Sequence, residues 1–100
     1  MEQCMLFIVA TPAVEQTLVD WLLAREDVSG FSSAPVRGHG TAHEKLSMSE
    51  QVEGRQNQLM FYTQVPLDTA RAVVASLREE FRGAGLHYWI LPAVEGGHIG

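Results

Sequence analysis

An α+β domain is what this sequence predicts: a four-stranded antiparallel sheet carrying two helices on one face. Three observations lead there. Two segments, near 14–22 and 70–81, repeat apolar residues at helical spacing. Short apolar runs rich in β-branched and aromatic residues stand before, between and after them. The resulting order is strand, helix, strand, strand, helix, strand, with all connections short but one. The length of 100 residues fits one domain, so 1–100 is read as a single unit.

The first strand is Cys4–Val9, a near-continuous apolar run that stops at Thr11-Pro12. Thr11 offers a hydroxyl to cap a helix, and Pro12 suits the first helical position. Val14, Leu18, Trp21 and Leu22 form one apolar stripe on a helix running to about Arg25, with Glu15, Gln16 and Asp20 on its wet side. Val28-Ser29-Gly30-Phe31 opens a second extended stretch that reaches Arg37. Pro35 cannot donate a ladder hydrogen bond, which argues for an edge position or a bulge. In the third strand Leu59, Phe61, Thr63 and Val65 alternate with Met60, Tyr62 and Gln64. Both faces are partly apolar, so both are expected to be covered. Pro66 ends this strand, and Asp68 is placed as N-cap of the second helix. There Ala70, Val73, Val74, Leu77 and Phe81 fall at i, i+3, i+4, i+7 and i+11. Arg82 meets the negative end of the helix dipole, and Gly83 can take the left-handed conformation that ends a helix. Leu86–Leu91 is the last strand, stopped by Pro92, and 94–100 reads as a mobile tail.

Two β-α-β halves in this order give the ferredoxin-like arrangement, with both helices on one sheet face. The other face is left bare, with Met60, Tyr62 and one side of Tyr88-Trp89-Ile90 exposed. A bare apolar face of that size predicts self-association.

Composition excludes several classes. Lys and Arg number 7 against 12 Asp and Glu, a net charge of −5. That is the wrong sign for a general binder of nucleic acid or anionic membranes. The longest apolar runs, Met5–Ala10 and Tyr88–Leu91, fall far short of the roughly 20 residues that cross a bilayer. No basic segment precedes the first run as in a signal peptide. The single cysteine, Cys4, excludes an internal disulfide and a cysteine-based zinc cage. A reducing cytoplasm is the simplest compartment.

The exception to the short connections is 38–58, between two strands that should form a hairpin. Hairpin loops usually hold about 2–5 residues, and long ones tend to be functional. This one is polar and has some order of its own, since Ser47-Met48-Ser49-Glu50 is a capping box for a short helical turn. Function is expected in this loop or at its base.

At Val36-Arg37-Gly38-His39-Gly40 the chain resembles the PII signalling superfamily: a strand ending in V-x-G-x-G, then a long loop within this strand–helix order. Tyr88-Trp89-Ile90-Leu91-Pro92 looks like the last PII strand and its proline. More closely, Gly30–Ser33, Gly38–Gln56 and His87–Pro92 are similar to a small uncharacterised bacterial family of PII-like proteins. The resemblance implies a homotrimer whose sheets face a central axis. It implies a partner-contacting loop at 38–58, the T-loop of PII proteins. It also implies ligand clefts between subunits near Gly38 and Gly40, which in PII proteins hold adenine nucleotides. The sequence departs from the pattern at the phosphate-binding loop before the last strand, which is only Gly83-Ala84-Gly85 and lacks the lysine. The related CutA proteins share the trimer and are linked to divalent-ion tolerance, which keeps a metal effector in play.

Each candidate residue has a plainer explanation beside its functional one. Gly38 and Gly40 could present backbone N–H groups to a phosphate, or could serve a positive φ where the strand leaves the sheet. His39 and His43, four apart and followed by Glu44, could bind a divalent transition metal if the loop is helical there. Two such ligands are too few for a tight site, so His98 or a second subunit would have to complete it; otherwise they are solvated loop histidines. Arg37, Lys45 and Arg55 bracket the loop and could meet an anion or an acidic partner, or be ordinary surface charge. His87 is read as structural or as part of the interface. Trp21 and Trp89 are read as core residues rather than binding platforms, and Cys4 as a small buried hydrophobe.

Paired catalytic carboxylates, a Ser-His-Asp order and a P-loop are absent from the sequence, so an enzyme is not expected. The expectation is a trimeric regulator that binds a nucleotide or metal effector through Arg37, Gly38, Gly40 and Arg55. Loop 38–58 would engage a partner protein such as a membrane transporter, with heavy-metal efflux as one regulated process. The alternative is a CutA-like metal protein using His39, His43, Glu44 and His98.

Overall fold

The computed structural model describes residues 2–40 and 56–100. The elements run β1 (Gln3–Ala10), a 3-10 turn (Pro12–Val14), α1 (Glu15–Leu23), β2 (Ser32–Gly38), β3 (Gln56–Pro66), α2 (Leu67–Glu80) and β4 (His87–Pro92). The strands form one antiparallel sheet in the order β2-β3-β1-β4, the ferredoxin-like topology expected. The edge position of β2 explains how Pro35 is tolerated, since its missing N–H is not needed by a further neighbour.

The register sorts the side chains. Cys4, Leu6, Ile8 and Ala10 of β1 join Phe61 and Val65 of β3 beneath the helices, against Leu18, Leu22, Ala70, Val73, Val74 and Leu77. Val28, before β2, is also buried in this core, and Phe31 packs on Phe61 with ring centroids 6.1 Å apart. The Thr63 hydroxyl donates to the Gly30 carbonyl at 2.6 Å and ties this connection to β3.

Several sequence expectations shift by a few residues. Thr11 does not cap α1 with its side chain, because the helix is preceded by the 3-10 turn. The Val14 amide, which a capping hydroxyl would take, is already bonded to the Thr11 carbonyl at 3.2 Å. Asp68 is not the N-cap of α2 either; β3 runs straight into the helix and Pro66 holds that place. Asp68 lies in the first turn, where its charge still complements the helix dipole. The second strand begins at Ser32 rather than Val28. The hairpin strands extend further into the long loop than the sequence suggested. Gly38 pairs with Gln56, Arg37 with Asn57 and Val36 with Gln58, so the connection proper is 39–55.

The sheet face away from the helices is apolar. Met5 and Phe7 of β1, Met60 and Tyr62 of β3, and Trp89 and Leu91 of β4 share it by register. Phe7 and Tyr62 stack with centroids 6.1 Å apart. Trp89 is 52% exposed and Leu91 48%. Trp89 is therefore no core residue, whereas Trp21 packs against the core and meets Phe81 edge-on at 5.6 Å. The tail carries two fully exposed apolar residues, Val94 and Ile99.

Candidate functional site

The base of the long hairpin forms one wall of a cavity of about 710 Å³. Its other wall is the 3-10 turn and the start of α1. Arg37 and His39 line it from the β2 side, Asn57 and Gln58 from β3, and Glu15 from α1, with Pro12, Pro35 and Leu59 supplying apolar surface. Each placement has a local cause. The Arg37–Asn57 and Pro35–Leu59 pairs put these side chains on the helix face of the hairpin. Pro12 starts the 3-10 turn that turns Glu15 toward the same space.

The cavity combines one guanidinium, one carboxylate, one imidazole and the Asn57 carboxamide on apolar walls, whereas the Gln58 side chain turns to the other sheet face beside Gly38. That donor and acceptor set suits a planar ligand with hydrogen-bonding edges and an anionic group. Among its described lining residues there is no hydroxyl, thiol or amine to act as a nucleophile.

The structure brings together some of the residues proposed from sequence and separates others. Arg37 and His39 share the cavity. Gly38 stands at the loop base as the last residue of β2, and Gly40 follows two residues later without lining the cavity. The positive-φ explanation for both glycines fails, since the described glycines with positive φ are Gly83 and Gly85. A different cause holds at Gly38: a Cβ there would run into the side-chain amide of Gln58, whereas Gly40 has open space around it.

His98 lies elsewhere. The tail passes Gln64, close enough that a Cβ on Gly96 would meet its amide. Gln64 is eight residues along β3 from Gln56, about 26 Å at strand rise, so one chain does not bring His98 to His39. His43, Glu44, Lys45, Arg55 and the capping box at 47–50 lie outside the described residues. Among the described residues no group of three His, Cys, Asp or Glu side chains is placed to hold a metal ion.

Sequence reasoning missed Glu15, Asn57 and Gln58. Glu15 has the signature of a solvated helix residue. The polar run Gln56-Asn57-Gln58 breaks the apolar alternation that marks β3, so it read as loop. Cys4 is buried, its thiol donates to the Val65 carbonyl at 3.4 Å, and burial pushes its pKa up. That is the inert setting expected of it. No described helix is long and apolar enough to cross a membrane.

Comparison with known proteins agrees with this architecture. The profile of a family of proteins of unknown function, DUF3240, matches residues 1–100. No curated protein matches the chain. A DUF3240 family protein from Shewanella baltica, solved by crystallography, superposes with a TM-score of 0.80 at 22% identity, covering 100% of this chain and 99% of that one. A protein described as PII-like and signalling, from Thermus thermophilus, gives a TM-score of 0.65 at 23% identity, covering 93% of this chain and 90% of its own. CPII, a nitrogen regulatory PII-like protein from Thiomonas intermedia, was solved with ADP, AMP and bicarbonate. It gives a TM-score of 0.70 at 18% identity over 99% of this chain and 98% of its own. The fold is PII-like, as the motif at Val36–Gly40 implied.

Proposed function

This chain belongs to the DUF3240 family, and we propose that it is a non-enzymatic PII-like regulator. In this reading it is a cytoplasmic homotrimer. A small effector binds between its subunits at the hairpin base, near Arg37, Gly38, Gly40 and Arg55. The 38–58 loop then engages or releases a partner protein, a membrane transporter such as a heavy-metal efflux system being the kind we favour.

The observation that carries the reading is the open sheet face. Phe7, Tyr62, Trp89 and Leu91 form a contiguous apolar surface on the side the helices do not cover. A second copy covering that face is its simplest use. The loop-base cavity supports the effector half, since its amide, imidazole and guanidinium suit recognition rather than covalent chemistry. The ligands of CPII make adenine nucleotides and bicarbonate the first effectors to try. The polar composition of 38–58 fits the ligand-set switch that this reading assigns to it.

A second reading, a CutA-like divalent-metal protein, is favoured by His39 sharing the cavity with Glu15. It requires the loop to bring His43 and Glu44 to the same place, and a neighbouring copy to supply His98.

Native mass spectrometry of the protein alone, then with ADP, AMP, copper, zinc and nickel in turn, separates these readings. The regulator is expected as a trimer that takes up nucleotide, with binding lost in Gly40→Phe. The metal reading expects a trimer taking up three ions, lost in His43→Ala with the trimer kept. A monomer at micromolar concentration overturns both.

A further inference from the structure

At the end of the sheet away from the long hairpin, a cavity of about 260 Å³ opens between the start of β1, the start of α2 and the end of β4. Half-buried Leu67 and Ile90, with Pro92, form its apolar walls, and buried Cys4 lies at its floor. Exposed Glu2 and Arg71 stand at its mouth. We propose that this cavity binds a small zwitterion, an α-amino acid with an aliphatic side chain, whose carboxylate is held by Arg71 and whose ammonium group is held by Glu2.

The two charges are the first reason. Glu2 and Arg71 line one cavity yet form no ion pair with each other, and among the described residues neither has another. Elsewhere opposite charges within reach do close: Arg25 pairs with Asp27 at 2.8 Å, and Arg82 approaches Glu79 at 4.0 Å. Burial is the main reason that the Cys4 pKa is raised; Glu2 adds to the rise and Arg71 opposes it, so both charges act on the thiol at the cavity floor. A lone anion in this space meets the Glu2 carboxylate, and a lone cation meets the Arg71 guanidinium. A molecule carrying both charges answers both. The guanidinium fork receives its carboxylate, and the Glu2 oxygens accept from its ammonium group.

The frame is the second reason. The Leu67 amide donates to the Glu2 carbonyl at 2.9 Å, and the Ala93 amide to the Gln3 carbonyl at 3.1 Å. These bonds tie the start of α2 and the end of β4 to the start of β1, so the walls are preformed and a ligand need not order them. Leu67, Ile90 and Pro92 reward an aliphatic body. The volume corresponds to about nine waters at roughly 30 Å³ each, below the range of about 300 Å³ and upward that holds drug-sized ligands. The ligand is therefore of amino-acid size. Cys4 pairs with Val65 and Pro92, whereas Ala10, six residues along β1, pairs with Leu59 nearer the hairpin base. That spacing is about 20 Å at strand rise, so the site is separate from the loop-base cavity. It is also at the opposite end of α2 from Gly83–Gly85.

The test is an NMR titration of the full chain, labelled with nitrogen-15, using L-valine as probe. Isovalerate, which lacks the ammonium group, and isobutylamine, which lacks the carboxylate, share its aliphatic body and serve as controls. Amide shifts are expected to concentrate at Gln3–Cys4 and Leu67–Arg71 and to saturate, with neither control matching valine. Arg71→Gln and Glu2→Gln, both at exposed positions, are each expected to weaken valine about tenfold, the effect of losing a charge-assisted hydrogen bond. Glu2→Gln keeps the backbone carbonyl that Leu67 uses, so the frame stays intact. The proposal is overturned if valine produces no saturable shift, or if either variant binds it as the parent does. It is equally overturned if isovalerate or isobutylamine binds as well as valine, or if the shifts centre on Arg37–Gly40.

Discussion

Asp27 is the described carboxylate most clearly displaced from its ordinary behaviour. Two hydrogen bonds from Arg25, at 2.9 and 2.8 Å, hold its pKa below the usual 3.8. Arg25 in turn lies 4.9 Å from the centroid of the Trp21 ring, so a surface ion pair is fastened to the edge of the core. The depressed folded-state value sets the sign of the pH dependence. The pair contributes stability above the unfolded value near 3.8, and that contribution is lost as pH falls through the lower folded value. Asp27 is 39% exposed, which keeps the contribution small. Asp27→Asn is expected to cost about 0.5–1 kcal/mol at pH 7, and the difference from the parent should shrink as pH falls toward 3. Urea midpoints of the two proteins at pH 7, 5 and 3 measure this. An equal gap at all three values would place the cause in packing on Trp21 rather than in charge.

At the scale of elements, the sequence made the strands and helices legible because their apolar periods are strong. The stripe of α2 and the alternation around Phe61 needed no tertiary information. The boundaries moved where backbone geometry outranked composition. The 3-10 turn at Pro12–Val14 consumed the amide that Thr11 would have capped. The polar run Gln56–Gln58 hid three further ladder pairs of β3. The candidate site was half legible for the same reason: the V-x-G-x-G motif marked Arg37 and His39, but nothing in the spacing joins them to Glu15. The hydrogen bond from the Arg78 guanidinium to the Tyr88 phenol oxygen is likewise a product of the α2–β4 connection. That connection depends on two glycines with positive φ, Gly83 at 83° and Gly85 at 74°. Open space surrounds both, so conformation alone penalises a side chain there. Gly83→Ala and Gly85→Ala are each expected to destabilise by about 1–2 kcal/mol, whereas Gly40→Ala, without a positive φ, should be near neutral. Thermal melts of the three variants measure the contrast.

For the whole molecule, the decisive quantity is what the open sheet face gains by being covered. A tryptophan buries about 150–250 Å² when fully enclosed. Trp89 retains 52% of its exposure in the single chain. Enclosing the remainder is worth on the order of 2–3 kcal/mol per copy at about 25 cal/mol per Å². Leu91 and the Phe7–Tyr62 stack extend the same surface along β1, β3 and β4, so in the proposed trimer the gain would recur at every copy. Association costs several kcal/mol in lost translational and rotational freedom. Removing the Trp89 contribution and adding a charge should therefore tip the balance. If the proposed trimer forms through this face, Trp89→Lys is expected to raise the protomer concentration at which it dissociates by at least about 100-fold. Because the substitution faces away from the helices, the core under α1 and α2 is untouched and the monomer should keep its native circular dichroism. Sedimentation equilibrium over a range of concentrations measures the shift. A variant that remains trimeric would mean the copies meet through another surface, and the open face would then be available to a different partner.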